Sequence, residues 1–138
     1  MSGFFGIVSE RPCISDLFYG TDYHSHLGTK RAGMATFDGM QAHQNIHNIQ
    51  NSHFRPKFAK DLDEMKGNVG IGVISDTEAQ PVMVNSHLGR WAICTVSKIN
   101  NIEELEQECL RQHQQFTDLS RGKTNPTELV ALLISQGK

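Results

Sequence analysis

The residues able to do chemistry are few and scattered. Ser2 comes first. Once Met1 is removed, its hydroxyl would share a residue with a free α-amine. That amine has an ordinary pKa of about 7.7–8.0 and can act as the base for an attached nucleophile. The competing reading is a small residue at the tight start of a strand. The histidines come next. His24-Ser25-His26 and His43-x-x-x-His47 have ligand-like spacing, but no Glu or Cys nearby completes a zinc set, so no metal is expected. Cys13, Cys94 and Cys109 are odd in number and far apart. This pattern fits free thiols in a reducing cytoplasm, with Cys94 an inert thiol in a buried strand. Gly70-Ile71-Gly72 lacks the third glycine and the following helix start of a phosphate loop. Asp76-Thr77-Glu78 reads as a solvated turn.

Bulk properties narrow the classes. At 138 residues the chain is long enough for one domain with its own core. A net charge of −2 gives no basic excess for nucleic acid or an anionic membrane surface. No apolar run approaches the ~20 residues of a membrane span, and no signal peptide is visible.

The elements that must position these residues follow from spacing. Gly3 to Ser9 reads as a buried strand, Ile14 to Tyr23 as a short helix, and Gly33 to Phe37 as a second strand closed by the turn dipeptide Asp38-Gly39. Ala42 to Ser52 is polar and fits neither period. Pro56 opens a helix through Phe58, Leu62 and Met65 that Gly67 ends. Val69 to Ile74 is a third strand, whose two glycines imply close approach by a neighbour. Val82 to Val84 and Trp91 to Val96 are strands around a turn at Ser86 to Gly89. Asn101 caps a helix from Ile102 to Phe116. Asn125-Pro126-Thr127-Glu128 starts a last helix, with Asn as cap and Glu reaching back three residues later. That helix is apolar and lies near Lys138, so residues 1–138 are expected to be an incomplete N-terminal piece of a longer chain.

Several blocks, in order, resemble the class II glutamine amidotransferases, and most closely the glutaminase domain of the amidophosphoribosyltransferase family. Ser2-Gly3-Phe4-Phe5-Gly6-Ile7 is similar to that family's Cys-Gly-Ile-Phe-Gly-Ile. His26-Leu27-Gly28-Thr29-Lys30-Arg31-Ala32-Gly33-Met34-Ala35 is similar to His-Arg-Gly-Gln-Asp-Ser-Ala-Gly-Ile-Ala. Gly67 to Gly72 with Ala79-Gln80-Pro81, Ile99 to Leu105, and Thr124 to Leu129 continue the match. The resemblance implies an α+β fold, a partial four-layer α-β-β-α sandwich of the N-terminal nucleophile hydrolase type. It also places Ser2 at the start of a central strand, beside the strand of Gly70 to Ile74.

The same resemblance implies a degenerate site. The family's cysteine nucleophile is Ser2 here. Its carboxylate-binding arginine aligns with Ser75, its oxyanion-hole Asn-Gly with Val96-Ser97, and its amino-group-binding aspartate with Pro126. The arginine after His26 is Leu27. The expected function is a glutaminase-like domain of an amidophosphoribosyltransferase-type protein of purine synthesis, inactive toward glutamine. Two alternatives stand beside it: a non-catalytic regulatory or scaffold domain of an oligomer, and an amide hydrolase using Ser2. No cofactor is expected. The expected partner is the rest of its own chain, a phosphoribosyltransferase domain, and a homo-oligomer is compatible with the sequence.

Overall fold

A computed structural model describes residues 2–26, 30–51, 53–76, 78–120 and 122–137. Met1, Leu27, Gly28, Thr29, Ser52, Thr77 and Lys138 among the residues named above lie outside the described residues.

Four antiparallel strands form the main sheet: β1 (Gly3–Val8), β2 (Arg31–Phe37), β3 (Ala42–Asn48) and β4 (Val69–Ser75), in the order β1-β4-β2-β3. β1 pairs β4 from Gly3↔Ile74 to Val8↔Val69, and β2 pairs β4 from Arg31↔Ser75 to Phe37↔Val69. The expected neighbour of β1 is thus present, but β1 is an edge strand and not a central one. β3 is the polar segment that matched no period. Along a sheet edge both faces stay half-wet, so no apolar alternation is needed.

One face of this sheet carries α1 (Ile14–Tyr23) and α2 (Phe54–Phe58). Leu17, Phe18, Met34, Phe54, Phe58, Met65 and Ile74 form the core there, with the Phe54 and Phe58 rings stacked at 4.5 Å. The helix sits close because Gly72 has no side chain: a Cβ there would fall on the Thr21 hydroxyl. This is the close approach that the glycines of β4 implied. Pro56 lies third in α2 rather than first, and a separate 3-10 turn follows at Asp61–Asp63.

The other face is covered by a hairpin, β5 (Val82–Ser86) and β6 (Gly89–Ile93), with α4 (Pro126–Ser135) packed on β5 and α3 (Ile102–Arg111) packed on α4. An apolar cavity of about 180 Å³ between Ala35 and Phe37 of one sheet and Met83 and Trp91 of the other marks the space between them. Helices, sheet, sheet and helices make the expected four layers. A two-residue pairing, β7 (Leu119–Ser120) with β8 (Lys123–Thr124), links α3 to α4. α3 ends at Arg111, short of Phe116, because His113 adopts φ 62°; nothing in its sequence marks that stop. Asn125 caps α4 as expected, its Oδ1 accepting from the Thr127 N–H at 3.0 Å. Glu128 does not reach back to complete the box. It accepts instead from the N–H groups of Thr117 and Asp118, each at 2.8 Å.

Candidate functional site

Strand register assembles the site. Extending the β1–β4 pairing by one residue beyond Gly3↔Ile74 sets Ser2 opposite Ser75, and Ser75 is itself paired with Arg31 on β2. Directly opposed residues share a face, so Ser2, Ser75 and Arg31 form one cross-strand row on the face turned toward the hairpin. Ser75 is 2% exposed, and its hydroxyl has no hydrogen-bond partner among the described residues. Ser2 and Arg31 are half-buried. The next row on that face, Phe4, Val73, Gly33 and Ile46, is apolar.

Residues 78–81 connect this row to the other expected positions. Their backbone crosses Gly33, where any Cβ would fall on the carbonyl oxygen of Gln80. Gln80 is buried. Its Oε1 accepts from the Thr95 N–H at 2.7 Å, and Gln44 Nε2 donates to the Pro81 carbonyl. Asn125 Nδ2 donates to the Ala79 carbonyl at 2.9 Å, and the Thr95 and Thr127 hydroxyls meet at 2.8 Å. Val96 and Ser97 therefore follow directly on a residue tied to the start of α4, where Pro126 is the first helical residue. Ser2 and Ser75 are brought together by register. Val96, Ser97 and Pro126 are brought together by the Thr95–Thr127 and Asn125 bonds. Val96 is 45% exposed and Ser97 is exposed. The row residue with no assigned role in the sequence reading is Arg31. Counting back in register from Ser75 would have found it.

The histidines do other work. His47 Nε2 lies 2.6 Å from Asp61 Oδ2, and His43 Nε2 lies 3.5 Å from Asp38 Oδ2. No group of three or more His, Cys, Asp or Glu that could hold a metal ion occurs among the described residues. Burial pushes the Cys94 thiol up to about 11, which makes it a poor nucleophile at neutral pH.

A second, more polar cavity of about 470 Å³ lies between α4 and β5 and includes Gln44, Asn85, Asp118 and Glu128. Burial, and then the Glu128 charge, push the Asp118 carboxyl above its ordinary range, while Arg31 pulls it down. Folding thus favours the protonated form of Asp118. That contribution is present below the ordinary carboxylate range and is lost as pH rises through the folded pKa. Asp118→Asn is therefore expected to raise Tm by about 1–2 °C at neutral pH. The advantage should disappear near pH ~3, where both states bind the proton. Calorimetric melting of both proteins across that range checks it, and an advantage that grew on acidification would reverse the assignment.

No protein-family model matches the chain. It is 32% identical over 146 residues to an amidophosphoribosyltransferase of Methanocaldococcus jannaschii, a match covering 97% of this chain and 29% of that protein. In fold it is similar to the glutamine phosphoribosylpyrophosphate amidotransferase of B. subtilis complexed with ADP and GMP, with a TM-score of 0.81 and 23% identity, covering 97% of this chain and 29% of the other. It is likewise similar to a structure described as the allosteric regulatory enzyme of purine biosynthesis, with a TM-score of 0.80, 23% identity and the same coverage. The chain thus spans about 29% of the length of each of these proteins. Sequence and architecture together make this chain similar to the amidophosphoribosyltransferases over about 29% of their length, with the N-terminal nucleophile hydrolase type of fold.

Proposed function

We propose that this chain is the glutaminase-like domain of an amidophosphoribosyltransferase-type protein of purine synthesis, and that it does not hydrolyse glutamine. One observation carries the reading: the β1–β4 register, continued one residue past Gly3↔Ile74, sets Ser2 opposite Ser75, at the two positions where the resemblance calls for a cysteine nucleophile and an arginine. A serine hydroxyl is a weaker nucleophile than a thiol, which is a few per cent thiolate at neutral pH. The exposed Val96 has no side-chain donor to offer a developing oxyanion, and losing one such donor costs on the order of 10²–10³ in rate. The expected phosphoribosyltransferase partner belongs to the remainder of such a protein. Apolar side chains left exposed on the hairpin-side face of the main sheet, Phe4 at 59% and Val8 at 82%, support burial against further polypeptide. They also favour a regulatory or scaffold role within an assembly.

Ammonia release from glutamine by the purified chain, with Met1 removal established by mass, is the test. The expected result is no turnover, and no adduct on Ser2 after treatment with the glutamine-analogue electrophile diazo-oxo-norleucine. Stoichiometric labelling of Ser2 would show the site to be working.

A further inference from the structure

We propose that the apolar cavity between the two sheets binds a small apolar monocarboxylate, of about the size of benzoate, with Arg90 holding the carboxylate. This site is separate from the row of Ser2, Ser75 and Arg31 and goes beyond the glutaminase-like reading.

Register places its walls. Phe37, Ala42 and Val69 oppose one another in one cross-strand row on the hairpin-side face of the main sheet. Arg31 stands at the other end of β2, about 20 Å away at ~3.3 Å per residue. On the hairpin Met83 opposes Ala92, and Arg90, two residues before Ala92, shares their face. Alanines at 42 and 92 leave open the space that larger strand residues would fill. The cavity measures about 180 Å³. An apolar cavity of ~150 Å³ takes up benzene, so a six-membered ring fits here. Phe37 and Val69 remain 39% and 42% exposed, and the cavity opens to solvent along this end of the sheets.

The lining sets the chemistry of the ligand. It is mostly apolar, and none of its residues is acidic. Water against such walls is poorly held, and an apolar group that displaces it gains affinity. Arg90 is exposed and makes no ion pair within 4 Å among the described residues. A planar guanidinium matches a carboxylate through two parallel N–H donors. The other polar groups of the lining are turned elsewhere. The Trp91 indole N–H donates to Ser86 Oγ at 3.2 Å. Thr36 presents its side chain to the opposite face, beside Gly70 and Leu17 of α1. One cation at the rim of an apolar space suits a molecule with one carboxylate and a compact apolar body. A phosphate, with no apolar part, gains nothing from these walls.

Titration calorimetry on the purified chain tests this with benzoate and with benzamide, its uncharged isostere. Wild type is expected to bind benzoate in the millimolar range, and benzamide about three- to tenfold more weakly, as for one charged contact at an exposed guanidinium. Arg90→Gln should bring benzoate down to the level of benzamide and leave benzamide unchanged. Ala92→Leu fills the cavity and should abolish binding of both, with a melting transition showing that it is folded. No heat with wild type at ~10 mM benzoate, equal affinity of wild type for the two ligands, or undiminished benzoate binding by folded Ala92→Leu would overturn the proposal. If Ala92→Leu does not fold, Arg90→Gln decides, because the exposed position 90 tolerates the change: unaltered benzoate affinity overturns it. Ammonia release from glutamine by wild type would defeat the inactive reading and leave the Arg90 site standing, so the two fail separately.

Discussion

Ser2→Cys with Val96→Asn is expected to hydrolyse glutamine about 10²–10³ times faster than Ser2→Cys alone. The single variant supplies a thiol but, with Val96 at the position that the resemblance assigns to the oxyanion hole, leaves a developing oxyanion facing an aliphatic side chain. Val96 follows Thr95, whose backbone N–H and hydroxyl are already committed to Gln80 and Thr127, so no polar side chain from the neighbouring residue is free to stand in. An asparagine at 96 supplies a donor on a segment held in place by those bonds. Ammonia release by both variants, after mass confirmation that Met1 is gone, gives the ratio. Robust turnover by Ser2→Cys alone would mean that Val96 is not at the oxyanion position and that the binding loop has another donor.

Gly33→Ala is expected to lower stability by about 3 kcal/mol, and Tm by about 10 °C, at the upper end of overpacking costs. The new methyl would meet the carbonyl oxygen of Gln80 and the ring of Pro81. Neither can rotate away, because Gln80 is buried and bonded to Thr95, and the Pro81 carbonyl accepts from Gln44. Gly6 on β1 is the control: a Cβ there meets nothing nearer than 3.9 Å. Urea unfolding of the two variants should show a lowered midpoint with an unchanged slope for Gly33→Ala only. Equal midpoints would mean that residues 80–81 do not cross the sheet at Gly33.

Much of the architecture was legible because the buried strands are dense in apolar residues. β4 and α1 are bounded within one residue of where composition placed them, and the glycines of β4 announced the helix that lies against them. β3 was not legible. Its residues Ala42 to Asn48 pair along their full length with β2, yet an edge strand owes its place to backbone bonds that sequence periodicity does not record. α2 misled through Pro56, which sits in the third position of a five-residue helix held by Phe54 and Phe58 in the core. Glu128 misled because tertiary donors, the Thr117 and Asp118 amides, outcompeted the local cap. At the site, reading one strand at a time showed a lost arginine at Ser75. The pairing of β2 with β4 shows Arg31 one strand away, at a position that the resemblance aligns with serine.

Asn125 uses one side chain for two tasks, capping α4 through Thr127 and gripping the Ala79 carbonyl in the segment that crosses the sheet. Lifting that segment away from Gly33 strains the anchor of the helix as well. If the anchor is worth the usual ~1–2 kcal/mol, the lifted state is some five- to thirtyfold rarer than it would be with a free loop. A ligand that must wait for that state binds with an affinity discounted by the same factor. Opening of the sheet at Gly33 would then report on how firmly α4 is seated, and anything pressing on the helix from outside could tune it.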